Sequence, residues 1–162
     1  MYISDNEVRT NLRYFFDNHI PPIDSCVPIL RGGHEILKRI PDEVKMNWNL
    51  YPITVKSYSD EHKKTYGSMK IDIPSITLDF LLNDKDTSET ILVVDDVYHT
   101  GNTLEMVKQL VERFHPNTTY YLAYVNKSGL KNFGNPHFPK NVNFVKEVDP
   151  TDWVEFEWER NR

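Results

Sequence analysis

The sequence predicts an α/β fold, a mostly parallel central sheet flanked by helices. Three observations carry this expectation. Apolar runs of strand character alternate with stretches of helical periodicity along the chain. Residues 91–94 are continuously apolar and bounded by acids, the pattern of a strand buried on both faces. The length of 162 residues, 39% of them hydrophobic, suits one domain with a real core.

The elements follow in chain order. Residues 4–19 read as a helix. Ser4 with Glu7 makes a capping box, and Val8, Leu12, Phe15 and Phe16 share one face. Pro21 and Pro22 end it. Residues 26–30 form a short buried strand, broken by Gly32 and Gly33, and 34–40 read as helical up to Pro41. Residues 51–57 make a second strand. The polar stretch 58–70 reads as a long mobile loop, of a length that compact domains reserve for function. After the strand at 91–94, Leu104, Val107, Leu110, Val111 and Phe114 stripe a helix that Pro116 ends. Residues 118–125 are rich in β-branched and aromatic side chains and read as a strand, with a weaker one at 142–145. The tail 153–159 alternates apolar with acidic residues, so that one face could cover a site. Phe156 and Trp158 read as core or interface.

Charge and cysteine content exclude several classes. Nineteen Lys+Arg against 24 Asp+Glu give a net charge of -5, unsuited to a general nucleic-acid or membrane-surface binder. The single cysteine, Cys26, precludes an intrachain disulfide, reads as core and fits a reducing cytosol. No leader-like segment opens the chain, and no apolar run approaches the roughly 20 residues of a membrane helix. The expectation is a cytoplasmic protein with neither nucleic-acid nor membrane partners.

Chemistry concentrates in residues 91–104, ILVVDDVYHTGNTL. A buried strand ends in two acids, and a short turn then feeds a helix. In open α/β sheets ligands bind at the carboxyl ends of strands. A helix N-terminus presents free amides and a positive dipole end to a phosphate. Gly101 permits close backbone approach, and Thr100 and Thr103 add hydroxyl donors. Asp95 and Asp96 could accept hydrogen bonds from two sugar hydroxyls or face a Mg²⁺ ion. The plainer alternative is that the threonines cap a helix and the acids are solvated. A second anion site is suggested where a strand runs into Arg31-Gly32-Gly33.

The stretch Val93-Val94-Asp95-Asp96-Val97-Tyr98-His99-Thr100-Gly101-Asn102-Thr103 resembles the phosphoribosyl-pyrophosphate (PRPP) motif of type I phosphoribosyltransferases. The resemblance runs over roughly residues 24–159. It is nearest to the 6-oxopurine enzymes, which use hypoxanthine, xanthine or guanine. It implies that fold, with a small hood over the base site to which 142–162 contribute, and a single domain over 1–162. By resemblance Asp95 and Asp96 hold the ribose hydroxyls, with Mg²⁺ held directly or indirectly. His99, Thr100, Gly101, Asn102 and Thr103 cradle the 5′-phosphate. Leu30, Arg31 and Gly32 form the pyrophosphate loop, with a cis peptide between Leu30 and Arg31. Ser57 and Tyr58 begin the catalytic loop over the pyrophosphate. Lys127 donates to the base's exocyclic oxygen, Trp153 stacks on the base, and Val154 meets its edge through backbone. Catalysis falls to Asp96, Arg31 and His99, and the assembly implied is a homodimer or tetramer.

His99 departs from the family's purine branch, which usually has Asp there. Histidine, with an unperturbed pKa of about 6.5, can also accept a proton. The residue can equally serve the phosphate loop alone or mark a different base. Two other readings therefore stay open: a non-catalytic PRPP or nucleotide sensor on the same fold, and a transferase for another base. A receiver domain of two-component signalling also ends a strand in Asp-Asp, but those acids lie near its start, and too little chain follows Asp96 here.

Overall fold

The structure is a computed structural model, described over residues 1–19, 22–44, 46–47, 49–57, 69–83, 89–115, 119–130, 136–139 and 141–161. In chain order the elements are β1 (Tyr2–Ile3), α1 (Asp5–His19), β2 (Ser25–Leu30), α2 (Gly32–Leu37), β3 (Ile53–Ser57), β4 (Met69–Asp72), α3 (Ser75–Asn83), β5 (Ile91–Tyr98), α4 (Asn102–Glu112), β6 (Thr119–Asn126), β7 (Val142–Glu147), β8 (Glu155–Phe156) and a closing 3-10 turn (Glu157–Asn161). Among the described residues the main sheet runs β4-β3-β2-β5-β6-β7, and β1 pairs with β8 in a small second sheet. Neighbouring strands are parallel except β3 and β4.

The expected α/β architecture is what forms, and β5 shows why. Its side chains alternate between two cores. Leu92 and Val94 face α1, α2 and the tail, while Ile91 and Val93 face the side of α3 and α4. All four are fully buried, each contributing about 1.5–3 kcal/mol by leaving water. Cys26 is likewise fully buried in the first core, and burial pushes its thiol up to about 12. At the start of α1 the Ser4 Oγ accepts the Glu7 N–H at 3.1 Å, one half of the expected box.

Several boundaries move for tertiary reasons. β5 continues past residue 94 to Tyr98 because β6 goes on pairing with it, Tyr98 opposite Asn126. α2 begins at Gly32 rather than residue 34, and α4 ends at Glu112, leaving Phe114 beyond it and 37% exposed. Met69 and Lys70, expected in the loop, belong to β4, which pairs antiparallel with β3; residues 58–68 lie outside the described residues. α3 has no counterpart among the elements expected from the sequence. The tail forms only the two-residue β8 before turning into the 3-10 segment. Its apolar residues do become core: Phe156 and Trp158 stack at 4.2 Å, and the Arg39 guanidinium lies 4.3 Å over the Trp158 ring. Arg39 is buried and bonds Asp5 at 2.9 Å and Glu35 at 2.9 Å, joining α1, α2 and the tail. No helix among the described residues is long and apolar enough to cross a membrane.

Candidate active site

The carboxyl end of β5 is the centre of the site. Asp95 is buried, and its Oδ1 accepts the Asp96 N–H at 2.8 Å. Burial, reinforced by the charge of Asp96, raises the Asp95 carboxyl well above the usual range. Asp96 is half-buried, and its Oδ1 accepts the Val97 N–H at 2.8 Å. The two acids thus differ: one is sunk against the core, the other open at the strand end.

The turn after β5 hugs a cleft of about 100 Å³ whose lining includes Asp95, Tyr98, His99, Thr100, Gly101 and Thr103. Gly101 occupies the N-cap of α4 at φ 84°, in the left-handed region, and a Cβ there would sit 2.3 Å from the Tyr98 hydroxyl. No side chain caps α4 among the described residues. Apart from the Asn102 N–H, its first-turn amides can therefore face an anion, and the helix dipole reinforces them. Thr100 does not cap the helix in the usual sense; its Oγ1 reaches only the Asn102 N–H, at 3.4 Å.

The Arg31 loop meets this strand end directly. The Leu30–Arg31 peptide is cis, as the resemblance implied. Arg31 is exposed at the start of α2. A Cβ on Gly32 would lie 2.1 Å from the Asp96 Cγ, and one on Gly33 would lie 2.1 Å from the Val94 carbonyl oxygen. These glycines follow the end of β2, as the sequence suggested. They let α2 start flush against β5. Ser57 ends β3, next to β2 and at the same edge of the sheet; Tyr58 lies outside the described residues.

Lys127 follows β6, and its N–H donates to the Tyr98 carbonyl at 2.7 Å, tying its loop to the turn after β5. The side chain is half-buried, and no carboxylate among the described residues lies within ion-pair distance of it. The tail is held by the other end of the chain: the Glu155 N–H donates to the Met1 carbonyl at 2.9 Å, and the Met1 amino group donates to the Trp153 carbonyl. Trp153 stands 76% exposed, whereas Val154 is half-buried against the core.

Residues from the ends of β2, β3, β5 and β6 therefore share one edge of the sheet, and Asp96 contacts the Arg31 loop while Lys127 contacts the β5 turn. Tyr98, which shapes the Gly101 turn, is not singled out by the sequence. Neither is Asn126, whose amide organises the Lys127 loop. A tyrosine or asparagine at a strand end carries no sequence signal for such work.

Comparison with known proteins bears on the family and the fold. The model of the phosphoribosyl transferase domain family matches residues 15–159. The xanthine-guanine-hypoxanthine phosphoribosyltransferase of Helicobacter pylori is similar with a TM-score of 0.68 at 21% identity, covering 99% of this chain and 92% of that one. A purine phosphoribosyltransferase from Pyrococcus horikoshii is similar with a TM-score of 0.65 at 21% identity, covering 98% and 92%. A hypothetical protein of Neisseria gonorrhoeae with bound ppGpp is similar with a TM-score of 0.68 at 15% identity, covering 98% and 88%. With the family model spanning most of its length, the chain belongs to the phosphoribosyl transferase domain family.

Proposed function

We propose that this protein transfers the 5-phosphoribosyl group from PRPP to a 6-oxopurine base, giving the nucleoside monophosphate and pyrophosphate, as a cytoplasmic enzyme of purine salvage. The observation that carries the reading is the direct contact among its parts: the Gly32 backbone against Asp96, and the Lys127 amide on the Tyr98 carbonyl. Three recognition chemistries, for pyrophosphate, ribose phosphate and base, thereby face one edge.

In this reading Leu30, Arg31, Gly32, Ser57 and Tyr58 hold pyrophosphate, and His99, Thr100, Gly101, Asn102 and Thr103 hold the 5′-phosphate through amides and hydroxyls. Asp95 and Asp96 hold the ribose diol. Lys127 donates to the exocyclic oxygen, Trp153 stacks on the base and Val154 meets its edge. A ring nitrogen of the base forms the bond to ribose C1. The bond from C1 to the pyrophosphate oxygen breaks, its electron pair leaves with pyrophosphate, and the nitrogen's proton passes to His99 or to water. The protein's share is positioning and electrostatic stabilisation.

The donor set fits Mg²⁺. Asp95 and Asp96 offer only hard oxygens, and no group of three or more His, Cys, Asp or Glu gathers among the described residues. An ion that keeps several waters and takes its other ligands from substrate phosphates suits so small a set. When bound, Mg²⁺ supplies charge neutralisation for the leaving pyrophosphate. The assembly is a homo-oligomer in this reading, which light scattering measures.

A second reading, a nucleotide sensor on the same fold, draws on the ppGpp bound to the neisserial neighbour and on His99. One assay separates them. Purified protein with PRPP and Mg²⁺ is offered hypoxanthine, guanine, xanthine, adenine, uracil and orotate in turn, and nucleotide is quantified by chromatography. Nucleotide from a 6-oxopurine, lost without PRPP or Mg²⁺, is the expected result. No nucleotide from any base, with PRPP still binding in calorimetry, selects the sensor.

A further inference from the structure

We propose that Asn126 is a positioning residue for base recognition, fixing the loop from which Lys127 reaches the base; the proposal rests on the role assigned above to Lys127. Asn126 is the last residue of β6 and is fully buried. A buried amide is costly unless both its ends are satisfied, and here they are. Its Oδ1 accepts from the Ser128 N–H at 3.1 Å and from the Ser128 hydroxyl at 2.6 Å. Its Nδ2 donates to the Leu130 carbonyl at 3.1 Å and to the Glu147 Oε1 at 3.1 Å. The Ser128 Oγ in turn accepts the Leu130 N–H at 3.1 Å. Both limbs of the turn around Lys127 thus hang on one side chain.

The same residue ties that turn to the tail. Its carbonyl accepts the Val148 N–H at 2.9 Å, where the chain begins its run toward Trp153. Gly129, at φ 79°, presses so close to this run that a Cβ would meet the Pro150 Cγ at 3.0 Å. The bonds that Asn126 makes reach the backbone and side chains flanking Lys127 rather than the lysine side chain itself. It therefore acts through Lys127 and not on the substrate. An apolar residue would fill the space as well. An amide carries both the acceptor oxygen that takes the Ser128 bonds and the two N–H donors that the Leu130 carbonyl and Glu147 take, which neither an apolar group nor a carboxylate does.

The test uses initial rates for guanine and hypoxanthine, with each KM measured against that of PRPP. Asn126→Asp keeps the acceptor for Ser128 but turns its donor toward Leu130 and Glu147 into a carboxylate oxygen. It is expected to raise the KM for the base about tenfold and to leave the KM for PRPP within about twofold. Glu147→Gln alone keeps the bond, because its amide oxygen still accepts; in the double variant its amide group can instead donate to the carboxylate introduced at position 126. Asn126→Asp with Glu147→Gln is therefore expected to recover part of the loss, the bond to the Leu130 carbonyl staying broken, a recovery that no general destabilisation predicts. Asn126→Asp added to Lys127→Ala should cost no more base affinity than Lys127→Ala alone. If Asn126→Asp fails to fold, Ser128→Ala reads the same split, a roughly two- to threefold rise in base KM. Equal loss for base and PRPP, no recovery in the double variant, or an unchanged base KM in Ser128→Ala overturns the proposal while leaving Lys127 in place. An unchanged base KM in Lys127→Ala overturns the recognition reading itself, and this inference with it.

Discussion

The proposed phosphate side and the proposed base side of the candidate site are built on opposite plans. The phosphate side is one continuous segment, the end of β5 and the turn into α4, backed by a strand paired on both edges. Asp95 there is only 8% exposed. The base side gathers the Lys127 loop, the tail and β1, with Trp153 76% exposed just ahead of a two-residue strand. Central strands open last and peripheral segments first. In the proposed reading, the part of the substrate common to the whole reaction class would be met by the buried core, and the part that differs between enzymes by a periphery that can change without disturbing it.

The strongest way to break this comparison is on the phosphate side. Asp96→Asn is expected to lower kcat on the order of 10²-fold or more while the fold persists; near-wild-type turnover in steady-state assays would remove Asp96 from the ribose role. Gly32→Ala comes next. Its methyl would overlap the Asp96 carboxylate, and relief of such overpacking costs typically about 1–3 kcal/mol. Calorimetric PRPP affinity should fall with little change in base selectivity, and undiminished PRPP affinity would mean that the two segments need not touch.

The base side should respond more mildly and more selectively. Trp153→Ala is expected to weaken base affinity by about 1–3 kcal/mol, the usual worth of base–aromatic stacking. Because the ring is so exposed, Tm should hardly move, and a large drop in Tm would make Trp153 a packing residue instead. The smallest effect concerns pH. Hydrogen bonds from Arg39 hold the Asp5 carboxyl below its ordinary range. A carboxyl lowered on folding contributes stability above its unfolded pKa of about 3.9, and that stability is lost as pH falls through the folded value. Arg39→Met should therefore be less stable near neutrality, with the gap in Tm narrowing as pH falls below about 4. A gap independent of pH would assign the loss to the Trp158 contact alone.

What the sequence disclosed follows the same division. Residues 91–94 of β5 are legible because burial on both faces there leaves no room for polar residues, and the turn after β5 because its parts are neighbours in the chain. α2's true start was not, because the need for Gly32 comes from Asp96 on another strand. The tail's alternation suits a strand, but only Glu155 and Phe156 pair in a ladder; Phe156 turns inward from β8, and Trp158 turns inward from the 3-10 turn that follows. β4 and α3 hid beside the polar loop, since a short apolar run does not say which element it forms. Lys127 stands out by resemblance, while its support in Asn126 emerges only from the fold.

The pairing of β1 with β8 has a kinetic consequence. Tyr2 meets Glu155 and Ile3 meets Phe156, so this ladder closes a loop of nearly the whole chain. Closing so long a loop is entropically dear and is rewarded only after the intervening segments have condensed. Loop-closure entropy therefore favours an order in which the sheet and the turn after β5 form first and the two ends pair last. In native-state hydrogen exchange the ladder amides should open well below the global unfolding free energy, while those of Leu92 and Val93 track it. Selectivity for the base would thus ripen at the final moment of folding and be the first property shed on warming.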